Sequence, residues 1–449
     1  MGRSPKQTKD GERLVIRNLT YRLYPTKKQE QTLERWLEMH RRLYNMCLAQ
    51  RQDAWKRLRR SIYYLEQQNQ LPPLKEEWPE LAELGSNASQ ETIRRVDRAF
   101  QGFFRRLQEY RTLPPYQKKT KKGGALFPKR KKPGYPRFKG MNRMDSFCYP
   151  SPSNWKIVEG GVAITNLGHI KMRGGCRVPM SEGEPRTLTV RRHAGRWYAI
   201  FGVRYPFSAL QRKAPEEPRP VGIDTGVRDL LVTSDDDDHI PNPKYTAQYE
   251  AKLISLDRAL SRKRRGSKNR KRAAVARARA YDKLTRVRKY YLHRVSTDLV
   301  RQYTLIAADD LHLQKLSKSA RGTQENPGKE VKKQAKFNRY LLDASIGRLY
   351  QYLAYKAEEA GGRFVLVNAW HTTEDCSSCD ASVPKPLSAR NHTCPRCGLD
   401  TDRKHNAART ILALGLQSQT GCTPPEVPSS APREGQGAEA QTSCSVEQG

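Results

Sequence analysis

Four cysteines near the C-terminal end of the chain have the spacing of a metal site. Cys376 and Cys379 form one Cys-x-x-Cys pair, Cys394 and Cys397 form another, and fourteen residues separate the pairs. Four thiolates spaced in this way suit a tetrahedral Zn²⁺ ion, and four protein ligands leave no coordination position open for catalysis. A redox dithiol is the alternative chemistry for such pairs. We expect these four cysteines to bind a structural zinc ion.

Carboxylates occur at three places where the chain is expected to leave a strand or enter a helix. Asp224 ends the apolar run VGID, Asp309 and Asp310 end YTLIAADD, and Asp400 and Asp402 precede a helical pattern in GLDTDRKHNAARTIL. Each place also has a structural explanation, because Asp-Thr-Gly favours turns and Asp is a common helix N-cap. Successive strand residues point to opposite faces, so only one of Asp309 and Asp310 can share a site with Asp224.

Taken together, Asp224, Asp309 and Asp402 suit two Mg²⁺ ions held about 4 Å apart. Such a pair of ions hydrolyses a phosphodiester, because one activates water while the other stabilises the leaving 3′ oxygen. We therefore predict that these three carboxylates bind magnesium and are catalytic.

The overall charge indicates a polyanionic partner. The 449 residues include 84 Lys and Arg against 46 Asp and Glu, which gives a formal net charge of +38. Nucleic acid is the partner that best fits such a surplus, with an anionic membrane surface as the weaker alternative. No apolar run is long enough to span a bilayer, the N-terminus lacks the apolar core of a secretory signal, and the cysteines do not resemble a disulfide scaffold. We expect a cytoplasmic, nucleoid-associated prokaryotic protein.

A dense group of basic residues lies in the stretch 261–290. A solvated helix face is one explanation, but so many like charges repel one another, and contact with nucleic-acid phosphates is favoured. The predicted nucleic-acid-binding residues are Arg262, Lys263, Arg264, Arg265, Lys268, Arg270, Lys271 and Arg272.

The apolar periodicity predicts an alternation of strands and helices. Residues 417–449 have almost no large apolar side chains and are expected to form a disordered tail. Strands are expected at 14–24, within 146–205, from 221, at 303–311 and at 363–370, and helices within 25–110 and at 244–302, 338–360 and 402–415.

Several motifs occur together in a familiar order. VGIDTGVRDLL, YTLIAADDL, the CSSC and CPRC pairs, and DRKHNAARTIL resemble the split RuvC-like nuclease of transposon-encoded TnpB proteins and of compact type V CRISPR effectors. RNLTYRLYPTKKQEQTL resembles the start of TnpB proteins, so the resemblance extends from residue 14 to about 415.

The resemblance implies a multidomain α+β architecture. A helical recognition domain would be inserted in a β-barrel wedge domain, and an RNase H-like (RuvC) α/β domain would follow, interrupted by a zinc-binding module. The wedge domain would comprise 11–24 and 111–210, the recognition domain 25–110, the nuclease domain 216–370 and 399–416, the zinc-binding target-loading module 371–398, and the tail 417–449.

The resemblance also implies an activity. Such proteins bind a noncoding or CRISPR guide RNA, recognise a short motif beside a double-stranded DNA target, and cleave the DNA with one Mg²⁺-dependent RuvC site. Base pairing then reads the target sequence while the protein reads the adjacent motif. A TnpB protein and a CRISPR effector both fit the chain, as do a monomer and a dimer.

Two positions depart from the family pattern. Asp224 matches the first catalytic Asp, but Asp309 stands where the family usually has Glu. Family members commonly have the sequence Asp-Arg-Asp-x-Asn-Ala-Ala, whereas this chain has DRKHNAA. Lys404 therefore occupies the position at which the family has its expected metal ligand. Either Asp402 supplies the third carboxylate, or cleavage is weak or absent and the protein is an RNA-guided DNA-binding protein. A strand-transfer transposase is disfavoured, because no His-hydrophobic-His motif with a Tyr nucleophile is present.

Overall fold

The chain folds into two compact units. The structure, a computed structural model, describes residues 11–112, 132–141, 143–175, 177–235, 239–320, 328–368, 372–386 and 389–418. One unit comprises Met1–Arg212 with Tyr245–Tyr290, and the other comprises Lys213–Lys244 with Tyr291–Gly449. No helix in these described ranges is both long and apolar enough to cross a membrane.

Seven strands of the first unit form one antiparallel sheet. They are β1 (Leu14–Tyr24), β2 (Ser146–Tyr149), β3 (Trp155–Val158), β4 (Gly161–Ile164), β5 (Gly168–Arg173), β6 (Glu184–His193) and β7 (Arg196–Pro206). Their order is β2-β6-β7-β1-β5-β4-β3. The strands expected at 14–24 and within 146–205 are present, β6 and β7 form a hairpin, and β1 pairs with β7 in the same sheet. Within the described residues β2 and β3 do not pair with each other, so strand pairing does not close the expected barrel.

Four α-helices lie between β1 and β2 in the described part of the chain. They are α1 (Lys27–Leu58), α2 (Tyr64–Asn69), α3 (Leu71–Glu77) and α4 (Ser86–Thr112). Thr26 and Gln29 form a capping box that begins α1. Trp36 and His40 are fully buried, and both rings contact Phe147 of β2. The helices and the sheet therefore share one apolar core.

Three further helices lie in the described residues between β7 and the end of the basic stretch, and the third of them is strongly basic. A short helix α5 (Phe207–Leu210) follows β7, and α6 (Tyr245–Ser261) and α7 (Lys268–Gln302) form the long helical stretch. The long helical stretch predicted for 244–302 is present as two helices, which residues 262–267 separate, and Gly266 has a φ of 84°. A left-handed residue interrupts the regular i to i−4 hydrogen bonds, which explains the break.

The second unit contains a mixed five-stranded sheet. Its strands are β8 (Pro220–Thr225), β9 (Asp229–Thr233), β10 (His239–Pro241), β11 (Leu305–Asp309) and β12 (Arg363–Val367). They are ordered β10-β9-β8-β11-β12, with β8, β11 and β12 parallel and the hairpin strands β9 and β10 antiparallel. Strands that alternate with helices produce such a mixed α/β layer.

Four more helices belong to this unit. They are α8 (Leu313–Leu316), α9 (Val331–Ala344), α10 (Ile346–Glu359) and α11 (Arg403–Gln417), and β13 (Asn391–Thr393) pairs with β14 (Asp400–Asp402) just before α11. The single helix predicted for 338–360 is wrong, because Ser345, with a φ of 54°, separates α9 from α10.

The predicted division into five domains stays a prediction. The nuclease domain assigned to 216–370 runs through 245–290, a stretch that the structure groups with the first unit. The tail predicted for 417–449 lies outside the described residues from 419 onward.

Helix α11 packs unusually close to the five-stranded sheet. A Cβ atom added to Gly222 of β8 would lie 2.0 Å from the backbone oxygen of Ala408, and one added to Gly415 would lie 2.5 Å from the Cβ of Ala307 in β11. The contact therefore depends on two glycines, one on each surface. It fixes the distance between the helix and the two central strands.

We predict that Gly222→Ala destabilises the second unit. The added methyl group meets backbone atoms that cannot rotate away, so α11 must shift, and the free energy of unfolding should fall by about 1–3 kcal/mol. Chemical denaturation followed by circular dichroism measures this change. Gly134→Ala is the matched control, because nothing lies within 4 Å of its added Cβ. Equal stabilities of the two variants would contradict the close contact.

Candidate active site and metal centre

Asp224 and Asp309 lie beside each other at the ends of two neighbouring parallel strands. The register pairs Ile223 of β8 with Ala308 of β11, so the next residue of each strand is an aspartate. Asp309 is buried, and the Asp224 side chain is 16% exposed. Asp310 is exposed, so Asp309 is the member of its pair that faces Asp224. The two strands thus bring together two of the carboxylates that the sequence selects.

Two hydroxyl groups orient the Asp309 carboxylate. The Tyr350 hydroxyl donates to Asp309 Oδ1 at 2.7 Å, and the Thr225 hydroxyl donates to the same oxygen at 3.3 Å. The two hydroxyl oxygens are themselves 2.8 Å apart. Sequence reasoning missed Tyr350 and Thr225, because an aromatic residue on the apolar face of a helix also fits ordinary core packing.

The two carboxylates lie in an environment that disfavours their own charge. Burial raises the pKa of Asp224 to about 7; the Lys404 ammonium opposes this shift and the Asp309 and Asp402 carboxylates add to it. Burial likewise raises the pKa of Asp309, against the hydrogen bonds from Tyr350 and Thr225. Buried acids that repel one another favour a bound cation, and such perturbed acids cluster at functional sites.

Lys404 of α11 reaches into this site. Its Nζ lies 3.7 Å from Asp224 Oδ2. A Cβ atom added to Gly226, in the turn after β8, would lie 2.4 Å from the same Nζ. The ammonium is buried, and no residue in the described ranges accepts a hydrogen bond from it. The residue that departs from the family pattern therefore faces the first predicted catalytic aspartate.

Asp402 caps a helix beside the site. It is the N-cap of α11, and its Oδ1 accepts a hydrogen bond from the Lys404 backbone N–H at 2.8 Å. Its charge acts on Asp224, which places it near the pair. Within the described ranges, only the four cysteines bring three or more metal-binding side chains within 4.8 Å of one another. The three carboxylates therefore do not all converge that closely.

The four cysteines predicted to bind zinc do converge. Their Sγ atoms all lie within 4.8 Å of one another, with Cys376 to Cys397 at 3.6 Å and Cys379 to Cys394 at 3.6 Å. A tetrahedron with Zn–S bonds of about 2.3 Å has edges of roughly 3.8 Å. The donor set therefore fits a zinc ion.

The two cysteine pairs have matching turns. The backbone N–H of Asp380 donates to the carbonyl of Cys376, and that of Gly398 donates to the carbonyl of Cys394, both at 2.9 Å. Asp380 and Gly398 both have a positive φ, which closes each turn back on its first cysteine. A hydrogen bond from the backbone N–H of Cys397 lowers the pKa of the Cys394 thiol to about 6, which favours the thiolate that binds metal.

Asn406 connects the first cysteine pair to α11. Its side chain is fully buried, donates to the Asp375 carbonyl at 2.7 Å and accepts from the Ser377 backbone N–H at 2.9 Å. Sequence reasoning noted Asn406 in a motif but gave it no role. Its two hydrogen bonds join the metal-binding turn to the helix that carries Lys404.

The predicted nucleic-acid-binding residues lie between α6 and the start of α7. All are exposed except Arg270, whose guanidinium donates to the carbonyls of Leu260 at 2.7 Å and Lys263 at 2.9 Å. Arg270 therefore holds the connection between the two helices. The other seven present their charges to solvent.

We predict that Cys394→Ser removes the bound metal. A serine hydroxyl is a poor zinc ligand, so the zinc content, measured by plasma mass spectrometry, should fall from one ion per chain to near zero. Cys148→Ser, which changes a cysteine outside the cluster, should keep one ion. Retention of zinc by the Cys394 variant would contradict the four-thiolate site.

We predict that Asn406→Ala weakens the hydrogen-bonded connection between the cysteine turn and α11. The variant removes the hydrogen bonds to the partly buried Ser377 N–H and Asp375 carbonyl, which should cost about 2 kcal/mol of folding free energy. Thermal unfolding of the zinc-loaded protein measures the loss. Asn391→Ala, at an exposed position of β13, should leave the midpoint within the experimental error, and equal shifts would argue against the connection.

Comparison with known proteins identifies the family. Family profiles match residues 347–411 ("Cas12f1-like, TNB domain"), 203–320 ("Probable transposase", OrfB of IS605) and 15–60 ("Helix-turn-helix domain"). A protein of Streptomyces pristinaespiralis named "Putative RNA-guided DNA endonuclease" is 31% identical over 408 residues, 90% of each chain. Escherichia coli InsQ, given the same description, is 27% identical over 400 residues, 88% of this chain and 91% of InsQ. The solved structure of the mini RNA-guided endonuclease CRISPR-Cas_phi3 aligns with 90% of this chain and 92% of its own at a TM-score of 0.44 and 8% identity. The identity and coverage of the Streptomyces relative show that this chain belongs to the TnpB (OrfB) family.

Proposed function

We propose that the protein is an RNA-guided DNA endonuclease whose active site contains Asp224 and Asp309. The observation that carries this proposal is the buried pair of aspartates at the ends of β8 and β11, which repel each other unless a cation binds. The relatives that cover nine tenths of the chain carry names that state the same activity.

The carboxylates fit a hard divalent cation. Oxygen ligands from aspartates suit Mg²⁺, which is usually held by one or two carboxylates and completes its shell with water and substrate phosphate. Bound there, Mg²⁺ would supply Lewis-acid activation of water and neutralise charge on the phosphate. Tyr350 and Thr225 hold Asp309 in one orientation, so that its other oxygen can face the ion.

The reaction is hydrolysis of a phosphodiester. Water adds to phosphorus, the bond from phosphorus to the 3′ oxygen breaks, and a proton reaches the leaving oxygen. Asp224 would be one of the carboxylates that hold the ion. The side chain of Lys404, directed at Asp224, is placed to meet the negatively charged phosphate.

Nucleic acid would be held by the exposed basic residues between α6 and α7. The net charge of +38 supplies long-range attraction for a polyanion. In this proposal a guide RNA pairs with one strand of double-stranded DNA, and the protein reads a short adjacent motif. The helices α1–α4 would form the recognition domain, the seven-stranded sheet the wedge domain, and the zinc-binding turns a target-loading module.

A second candidate function is RNA-guided DNA binding without cleavage. The ammonium of Lys404 at 3.7 Å from Asp224 favours it, since a positive charge there opposes a divalent cation. Such a protein would block its target site instead of cutting it.

We predict that Asp224→Ala abolishes cleavage and spares binding. Loss of one cation ligand should lower the cleavage rate about 1,000-fold, equivalent to roughly 4 kcal/mol of barrier. The assay uses the purified protein with its co-expressed RNA, a reprogrammed guide, Mg²⁺, and a plasmid library with randomised bases beside the target. Asp310→Ala, which removes the neighbouring exposed carboxylate, is the matched control and should cut normally.

The outcomes separate the two candidate functions. Cuts that depend on Asp224 support the endonuclease. Target binding beside a defined motif, without cuts by the wild type, supports the DNA-binding alternative. If no RNA copurifies and no target is bound, both RNA-guided functions are wrong.

A further inference from the structure

We infer that the ammonium of Lys404 takes the place of a second cation, so that the carboxylate site binds one divalent ion instead of two. The inference rests on the proposed function, which supplies the expectation of a two-ion site. It concerns only residues of the second unit.

The charges of the site fit one ion. Asp224, Asp309 and Asp402 carry three negative charges when ionised, and Lys404 carries one positive charge, which leaves a formal charge of −2. Arg403 has the weakest effect of the charges that act on Asp224, and its guanidinium donates hydrogen bonds to the Pro386 carbonyl and the Thr373 hydroxyl. One divalent cation neutralises the formal charge. Two would leave the buried site with a charge of +2, which a low-dielectric environment penalises strongly.

The position of the ammonium fits the same conclusion. Two catalytic ions lie about 4 Å apart. Lys404 Nζ lies 3.7 Å from Asp224 Oδ2, beyond hydrogen-bond distance but at the range of a strong charge interaction. Gly226 leaves open the space that Nζ occupies, because a side chain there would collide with it.

Part of the ligand supply is already engaged in hydrogen bonds. Asp309 Oδ1 accepts hydrogen bonds from Tyr350 and Thr225, and Asp402 Oδ1 accepts one from the first turn of α11. Within the described ranges, the three carboxylates do not form a cluster of possible metal ligands such as the cysteines form. The oxygens that remain are enough for one Mg²⁺, which keeps several water ligands.

A purely local explanation for Lys404 is weak. The N-terminal turn of a helix carries the positive end of the helix dipole, where a cation is unfavourable. Arg403 and Lys404 nevertheless occupy the first two positions of α11. The Lys404 ammonium is buried without a hydrogen-bond acceptor in the described part of the chain, a costly arrangement that a substrate phosphate oxygen would relieve.

The experiment counts Mn²⁺ ions bound to the zinc-loaded, nucleic-acid-free protein. Electron paramagnetic resonance of free Mn²⁺ gives the number bound, and Asp224→Asn defines the background outside the site. We expect one ion in the wild type and two in Lys404→Asp, where the ammonium is replaced by a ligand. Lys404→Met removes the charge without adding a ligand, so it should bind one ion about tenfold more tightly.

Three results would overturn the inference. They are two ions in the wild type, no ion in the wild type above the Asp224→Asn background, or one ion in both the wild type and Lys404→Asp. If Lys404→Asp does not fold, as judged by its zinc content and circular dichroism, an unchanged Mn²⁺ affinity of Lys404→Met overturns it instead.

The ion count is independent of guided cleavage. It needs neither guide RNA nor target DNA, so a protein that fails to cut can still show one ion in the wild type and two in the variant. In that case the proposed cleavage fails and the role of Lys404 stands. If the wild type cuts at a defined target and binds two ions, the proposed function stands and the role of Lys404 fails.

Discussion

The repulsion between two buried carboxylates is the constraint around which the second unit is arranged. Asp224 and Asp309 are adjacent because the parallel register of β8 and β11 pairs the residues that precede them. Burial removes water that would screen their charges, and the result is a raised pKa for both. Two groups of contacts stabilise the carboxylates. Tyr350 and Thr225 donate hydrogen bonds to Asp309, and the ammonium of Lys404 lies close to Asp224. The donors and the cation come from segments that are far apart in the chain.

The helix that carries Lys404 is positioned by two separate contacts. On the sheet side, Gly222 and Gly415 allow α11 to approach the backbone so closely that a methyl group would not fit. On the other side, Asn406 hydrogen-bonds the cysteine turn through Asp375 and Ser377. A zinc ion bound by the four cysteines would stiffen this turn, and through Asn406 it would stiffen the start of α11. The metal centre therefore has a structural reason to lie directly beside the acidic segment.

The sequence predicts the elements better than the contacts between them. Strands such as β1 and β11 follow from runs of apolar or alternating residues, and the cysteine spacing selects the metal-binding residues without any knowledge of the fold. The interruption at Ser345 escapes prediction, because the apolar periodicity continues across it and only the backbone conformation changes. The hydrogen bond between Thr225 and Tyr350 joins residues 125 positions apart, and no local pattern encodes such a pair. The site's acids are thus visible in the sequence, whereas the groups that orient them are not.

The first turn of α11 carries basic residues where acidic ones are favourable, and a tertiary contact offsets this unfavourable placement. Two basic residues occupy the turn where helix electrostatics favour acids, so this segment alone would be less stable than one with an acid at the same place. The Asp402 N-cap and the Asp224 carboxylate of β8 both supply negative charge at this turn. Sequences generally agree with their folds at every level, and positions that do not agree concentrate at functional sites. The Gly222 contact fixes α11 against β8, and Lys404 of this helix lies 3.7 Å from Asp224 of the same strand. The packing of α11 against β8 therefore also determines how close these two charges lie.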